Sequence, residues 1–110
     1  MNASEKMKRT KAYRQIKASL MEQLERSGND RPHYIDLVED YMKMYVIKEL
    51  CARDIDERGV VIRGVGSTGQ KVEKRNDSVD MMQKTNQQMI KLLDSLGIKP
   101  EGDFGADEDM

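Results

Sequence analysis

The stretch DIDERGVVIRGVGSTGQKVEKRNDSVD, residues 54–80, decides the fold. An apolar helical pattern that begins at Tyr34 stops at Arg58-Gly59, because glycine takes the left-handed conformation that ends a helix at no steric cost. Val60 to Arg63 is β-branched, Gly64, Gly66, Ser67, Thr68 and Gly69 have a turn composition, and Gln70 to Lys74 alternates around Val72. This predicts a short hairpin with Val60, Ile62 and Val72 on one face. Asn76 then reads as an N-cap, with Asp77 and Asp80 at the positive end of a helix dipole. Two strands alone are marginal, so the hairpin must pack on something or stay mobile.

Outward from this stretch lie two helices. Before it, Tyr34, Leu37, Val38, Tyr41 and Tyr45 form one apolar stripe of a helix over Tyr34–Arg58, and Ile35, Met42, Val46 and Leu50 form another beside it. Ile47, Cys51, Ala52 and Ile55 widen the apolar surface, and Pro32 suits the first turn. Such a helix is buried on more than one side and is expected at the centre of the fold or of an oligomer. After the stretch, Val79, Met82, Met89, Leu93 and Leu96 form the stripe of a helix over Asn76–Leu96, broadened by Ile90 and Leu92. Gly59 and Gly97 read as equivalent helix ends, with Val60 folding onto Ile55, Ile98 onto Leu93, and Pro100 following.

Upstream, residues 4–27 read as one helix, with Ser4 as N-cap, Tyr13, Ile16, Leu20 and Leu24 at helical spacing, and Gly28-Asn29 as its close. The first ten residues, with Met7 almost their sole apolar partner, are expected to fray when the protein is alone. The three units expected are a basic helix and turn over 1–31, a helix–hairpin–helix oligomerisation core over 32–100, and an acidic disordered tail over 101–110.

In 110 residues, with 35% charged and 37% hydrophobic, there is room for one domain with a thin core. Nine Met, one Phe and no Trp make that core adaptable rather than shape-specifying, and favour burial against another copy. Tyr34, Leu37, Val38, Tyr41, Tyr45, Met82, Met89 and Leu93 are the candidate oligomer interface. The single Cys51 excludes an internal disulfide framework. With no long apolar run and no apolar signal core at the N-terminus, the expected setting is cytoplasmic, without a membrane.

The net charge of −1 conceals an asymmetry. Residues 1–17 hold six cations (Lys6, Lys8, Arg9, Lys11, Arg14 and Lys17) against Glu5, whereas 101–110 hold five acids and no base. Cations neutralise phosphates and release counterions, so the N-terminal group is the first candidate for nucleic acid. Arg63, Lys71, Lys74 and Arg75 form a second group, with either DNA or a neighbouring copy as its expected contact, offset by Glu73 and Asp77. The acidic tail would contact a basic surface, keep the chain end soluble, or compete with DNA for the N-terminal cations.

No residues point to catalysis. The run Gly64-Val65-Gly66-Ser67-Thr68-Gly69 lacks the Lys-Ser/Thr ending of a phosphate-cradling loop. His33 has only Asp30 and Asp36 nearby, too few for a metal, and Cys51 has no histidine beside it to serve as base. No catalytic residue, metal or cofactor is expected.

The order of these features resembles the small terminase subunits of tailed phages, in the group often called the P27 family. The resemblance rests on Tyr34-Ile35-Asp36-Leu37-Val38-Glu39-Asp40-Tyr41, on Glu57-Arg58-Gly59, on the glycine-containing loop, on Lys74-Arg75-Asn76, and on Leu92 to Pro100. Asp77 stands where the family usually has proline, and Gly102-Asp103 where it usually has a basic residue. The resemblance implies a homo-oligomeric ring that binds double-stranded viral DNA at the packaging-initiation site. It further implies recruitment and regulation of the large terminase subunit, which carries the ATPase and nuclease. The expected architecture is mainly α: a basic helix, a central apolar helix, a β-hairpin, and an antiparallel closing helix. The rival reading is a small helical adaptor, or a dimeric DNA-binding regulator, without a packaging role.

Overall fold

The structure is a computed structural model and describes residues 1–98. In chain order the elements are α1 (Ala3–Lys8), α2 (Lys11–Ser27), α3 (Pro32–Arg58), β1 (Val61–Val65), β2 (Lys71–Arg75) and α4 (Asp77–Leu96). The tail over 101–110 lies outside the described residues.

The segment expected as one helix over 4–27 is two. Thr10 divides it: its hydroxyl donates to the Met7 carbonyl (2.8 Å) and accepts from the Tyr13 amide (3.2 Å), closing α1 and capping α2 with one side chain. At the start, Asn2 rather than Ser4 is the cap. The Glu5 amide donates to Asn2 Oδ1 (2.8 Å) and the Asn2 amide donates to Glu5 Oε1 (2.9 Å), a reciprocal box. Met7 is 4% exposed and joins the core, so the first ten residues are docked where fraying was expected. One methionine suffices because six helical residues have only one face to bury.

Helix α3 runs through the centre, as its wide apolar surface requires. On one side α2 packs antiparallel to it: Tyr13 meets Tyr45 edge to face, with ring centroids 6.0 Å apart, and Lys17 reaches Glu39. On another side lies α4, also antiparallel, since Ser78 at its start bonds Asp54 near the end of α3, and Leu96 at its end lies beside Gln23 and Ser27 of α2. Leu24, Val38, Met42 and Leu96 are the most deeply buried apolar side chains, and each contributes on the order of 2 kcal/mol by leaving water.

Glycines close the helices, but Gly59 and Gly97 are not twins. Gly97 is left-handed (φ 73°), its amide bonds the Asp94 carbonyl, and Ile98 bonds that of Leu93. Gly28 repeats this arrangement (φ 80°), with Asn29 bonding Leu24. Gly59 instead has φ 88° and ψ 173°, a conformation that leads straight into a strand. The chain there must leave the helix axis, so Val60 enters the hairpin rather than folding back.

In the hairpin Val61 pairs with Arg75, Ile62 with Lys74, Arg63 with Glu73, Gly64 with Val72 and Val65 with Lys71. Directly paired residues share a face, so Ile62 and Val72 lie together with Gly64 and Lys74, as the alternation predicts. The opposite face carries Val61, Arg63, Val65, Lys71, Glu73 and Arg75. Both faces are largely open: Val72 is 40% exposed on one and Val65 is 75% exposed on the other.

Candidate nucleic-acid interface

The two predicted cation groups lie on different scaffolds. The N-terminal group sits on α1 and α2, which Met7 and Tyr13 fasten to the core. Lys6, Lys8, Arg9, Lys11 and Arg14 are all exposed, and none has a carboxylate within 4.0 Å among the described residues. Lys11 and Arg14 are three apart on α2 and so are neighbours on its surface. Lys17 differs. Its Nζ lies 2.9 Å from Glu39 Oε2 on α3, and that carboxylate holds the ammonium pKa above its ordinary value. Lys17 therefore braces α2 against α3 while its five companions face solvent.

In the hairpin group two of four cations are paired. Arg63 Nε donates across the strands to Glu73 Oε2 (2.7 Å), and Arg75 Nη2 lies 3.4 Å from Asp80 Oδ1. Lys71 and Lys74 are exposed without a carboxylate partner among the described residues. The offsetting acids are thus Glu73 and Asp80, not Glu73 and Asp77.

The eight residues predicted for an oligomer interface divide between core and surface. Val38, Tyr45 and Met89 are buried within the chain's own core. Tyr34, Leu37, Tyr41 and Leu93 are half-buried and pack against that core. Met82 lines a groove of about 340 Å³ between α3 and α4 with Lys48, Glu49, Ala52, Gln83 and Asn86.

Sequence reasoning missed the polar clamp that holds the hairpin to the helices. Asn76 is fully buried: its Oδ1 accepts from the Ser78 amide (2.9 Å) and from Arg58 Nη2 (3.3 Å), and its Nδ2 donates to the Gly59 carbonyl (2.9 Å). The Asn76 amide donates to the Val60 carbonyl (2.7 Å), so both ends of the hairpin are tied at one residue. Arg58 forks onto Asp54 (2.7 and 2.8 Å), whose Oδ2 also accepts from the Ser78 hydroxyl (2.7 Å). Arg58 first, then Ser78, hold the Asp54 carboxyl well below the usual carboxylate range. The spacing of Asp54 and Arg58, four apart on a helix, was the available signal; that Asn76 would join them depends on where α4 starts.

Cys51 is buried beside this clamp, and burial pushes its thiol pKa up. The His33 ring stands 4.4 Å from that of Tyr34. Among the described residues no three His, Cys, Asp or Glu side chains converge as metal ligands, and no helix is long and apolar enough to cross a membrane.

A comparison with curated proteins and one with solved structures each find no match. A family model does match, over residues 8–103, a span that takes in α2, the central helix, the hairpin and the closing helix. That model describes the small subunit of phage terminase, and the chain belongs to this family, whose role is in phage DNA packaging.

Proposed function

We propose that the chain binds double-stranded viral DNA at the packaging-initiation site and brings the large terminase subunit to it. One observation supports this most: Lys6, Lys8, Arg9, Lys11 and Arg14 are exposed, lack carboxylate partners among the described residues, and stand on helices anchored to the core. Unpaired cations on an ordered scaffold are what phosphate neutralisation needs, because no internal ion pair has to be broken first. Small terminase subunits are generally non-catalytic, the ATPase being the large subunit. This chain acts in the same way, as a regulator without a catalytic residue or cofactor of its own.

The chain works as a ring of copies within the P27 group, in the host cytoplasm. Residues 32–100 form its oligomerising core, with the half-buried Tyr34, Leu37, Tyr41, Met82 and Leu93 meeting the neighbouring copy. Repetition of one head-to-tail contact closes such a ring. The acidic tail competes with DNA for the N-terminal cations or contacts the large subunit.

Native mass spectrometry, alone and with duplex DNA at two salt concentrations, tests the reading. A single high oligomer that binds DNA with strong salt dependence is expected. A monomer or dimer indifferent to DNA overturns it in favour of a protein-binding adaptor.

A further inference from the structure

The hairpin projects from the helices as a finished ribbon. All five residues of β2 are exposed, as are Val61, Arg63, Gly64 and Val65 of β1. Its base is tied by Asn76 and its tip is closed tightly. The Gly66 amide donates to the Gln70 carbonyl (2.7 Å) and the Gly69 amide to the Gly66 carbonyl (3.0 Å), with Gly69 at φ 87°. This is the three-residue loop with a positive-φ bulge residue that suits a twisted hairpin. The tip exposes Ser67, Thr68 and Gln70. A Cβ on Gly66 would stand 3.0 Å from Val72 and 3.3 Å from the Gln70 amide group, so glycine there lets Gln70 fold close against the turn.

Charge selects what this ribbon meets. Between Val61 and Arg75 there are four cations and one acid, Glu73. Hairpin against hairpin of a second copy sets like charge on like, whereas a polyanion complements it. The major groove of B-DNA admits a two-stranded ribbon, and its edges offer what the tip can read. Glutamine pairs with adenine N6 and N7, a threonine hydroxyl bonds most bases, and an apolar side chain contacts the thymine methyl.

We propose that the hairpin is the sequence-reading element of the chain. It enters the major groove tip first, with Gln70, Thr68 and Val65 at base edges and with Lys71 and Lys74, which lie on opposite faces of the ribbon, reaching phosphates on the two sides of the groove. This rests on the DNA-binding function proposed for the chain and divides the work: the N-terminal helices supply sequence-independent affinity, the hairpin the choice of site.

The test is selection of short duplexes with a randomised centre by the full-length chain. It is run with wild type, Gln70→Ala, Thr68→Ala, Lys71→Gln/Lys74→Gln, and a variant with the five free N-terminal cations changed to Gln. Wild type is expected to enrich a motif. Gln70→Ala is expected to lose discrimination at one base pair by roughly five- to a hundredfold while total affinity changes little. Lys71→Gln/Lys74→Gln is expected to weaken every sequence alike and lower the salt slope by about two. The N-terminal variant is expected to bind weakly yet enrich the same motif. Enrichment unchanged by the tip substitutions, or absent in wild type that still binds DNA, overturns the hairpin proposal and leaves the DNA-binding reading standing. No binding by wild type at low salt removes both. Native masses measured on the same variants close the remaining route: hairpin substitutions that break the oligomer without changing base preference assign the hairpin to a neighbouring copy instead.

Discussion

The N-terminal helices and the hairpin are both basic and both stand outside the α3–α4 pair, yet they are fastened by opposite physics. Helices α1 and α2 are held mainly by apolar side chains, Met7, Tyr13, Leu20 and Leu24, with Lys17–Glu39 as one polar brace, and the other five of their six leading cations lack a carboxylate partner among the described residues. The hairpin contributes no side chain to the buried core, is held by the hydrogen bonds of one buried asparagine, and pairs two of its four cations with acids. Apolar attachment is indifferent to pH and leaves charge free. Polar attachment fixes direction, because hydrogen bonds are directional where apolar contacts are not. A platform for phosphate contact needs the first, and a projecting ribbon that must keep its aim needs the second.

The largest effect that separates the two regions is on DNA affinity. Changing Lys6, Lys8, Arg9, Lys11 and Arg14 together to Gln is expected to lower affinity by roughly a hundredfold or more at moderate salt, and the salt slope by about four. Fluorescence anisotropy over a salt series measures both. An equal loss from Arg63→Gln/Arg75→Gln would erase the contrast, since those two cations already have partners.

Next in size is the clamp. Asn76→Ala removes an N-cap and leaves the Gly59 carbonyl and one Arg58 donor unpartnered, at a cost of about 3 kcal/mol. Urea denaturation followed by far-UV circular dichroism reads this cost. A cost below about 1 kcal/mol would mean that water replaces Asn76 freely and that the hairpin is not held there. Smaller and more local is Met7→Ala, at about 2 kcal/mol. Hydrogen exchange should show protection lost in α1 and retained in α3 and α4. Loss throughout the chain would make α1 part of the cooperative core rather than an attachment to it.

Legibility in the sequence divides along the same line. The central helix, the hairpin face shared by Ile62 and Val72, and Asn76 as a cap were readable because periodicity and capping are local. The break at Thr10 was not, since a threonine within a helical pattern signals a cap only when its neighbours dock, and Met7 docking is tertiary. Gly59 departs from expectation for a related reason: a glycine after a helix specifies a stop, while the direction of exit is set by the strand that Val61 begins. Of the candidate site, the cations were legible by composition. Which ones are free was not, because Lys17–Glu39 and Arg75–Asp80 pair across elements that only the fold brings together.

The smallest expected effect appears only in acid. Arg58 and Ser78 hold the Asp54 carboxyl below its unfolded pKa, so the folded state binds fewer protons there than the unfolded chain does. The stability this contributes is complete above the unfolded value, near ~3.9, and is lost as pH falls through that value towards the folded one. Protonated Asp54 no longer accepts charge-assisted bonds from Arg58, so Arg58 is released from the carboxylate and Asn76 holds the hairpin base alone. Because the pair is partly open to solvent, the whole effect is modest. Asp54→Asn should therefore lower stability at neutral pH slightly and flatten the acid limb of the stability profile, while Met7→Ala should shift that profile without changing its slope. Denaturation midpoints of the two variants and wild type, taken from neutral pH down to the acid limb, decide it. Parallel acid limbs for wild type and Asp54→Asn would show that the clamp does not titrate with Asp54, and the hairpin would then be fastened by Asn76 without help from charge.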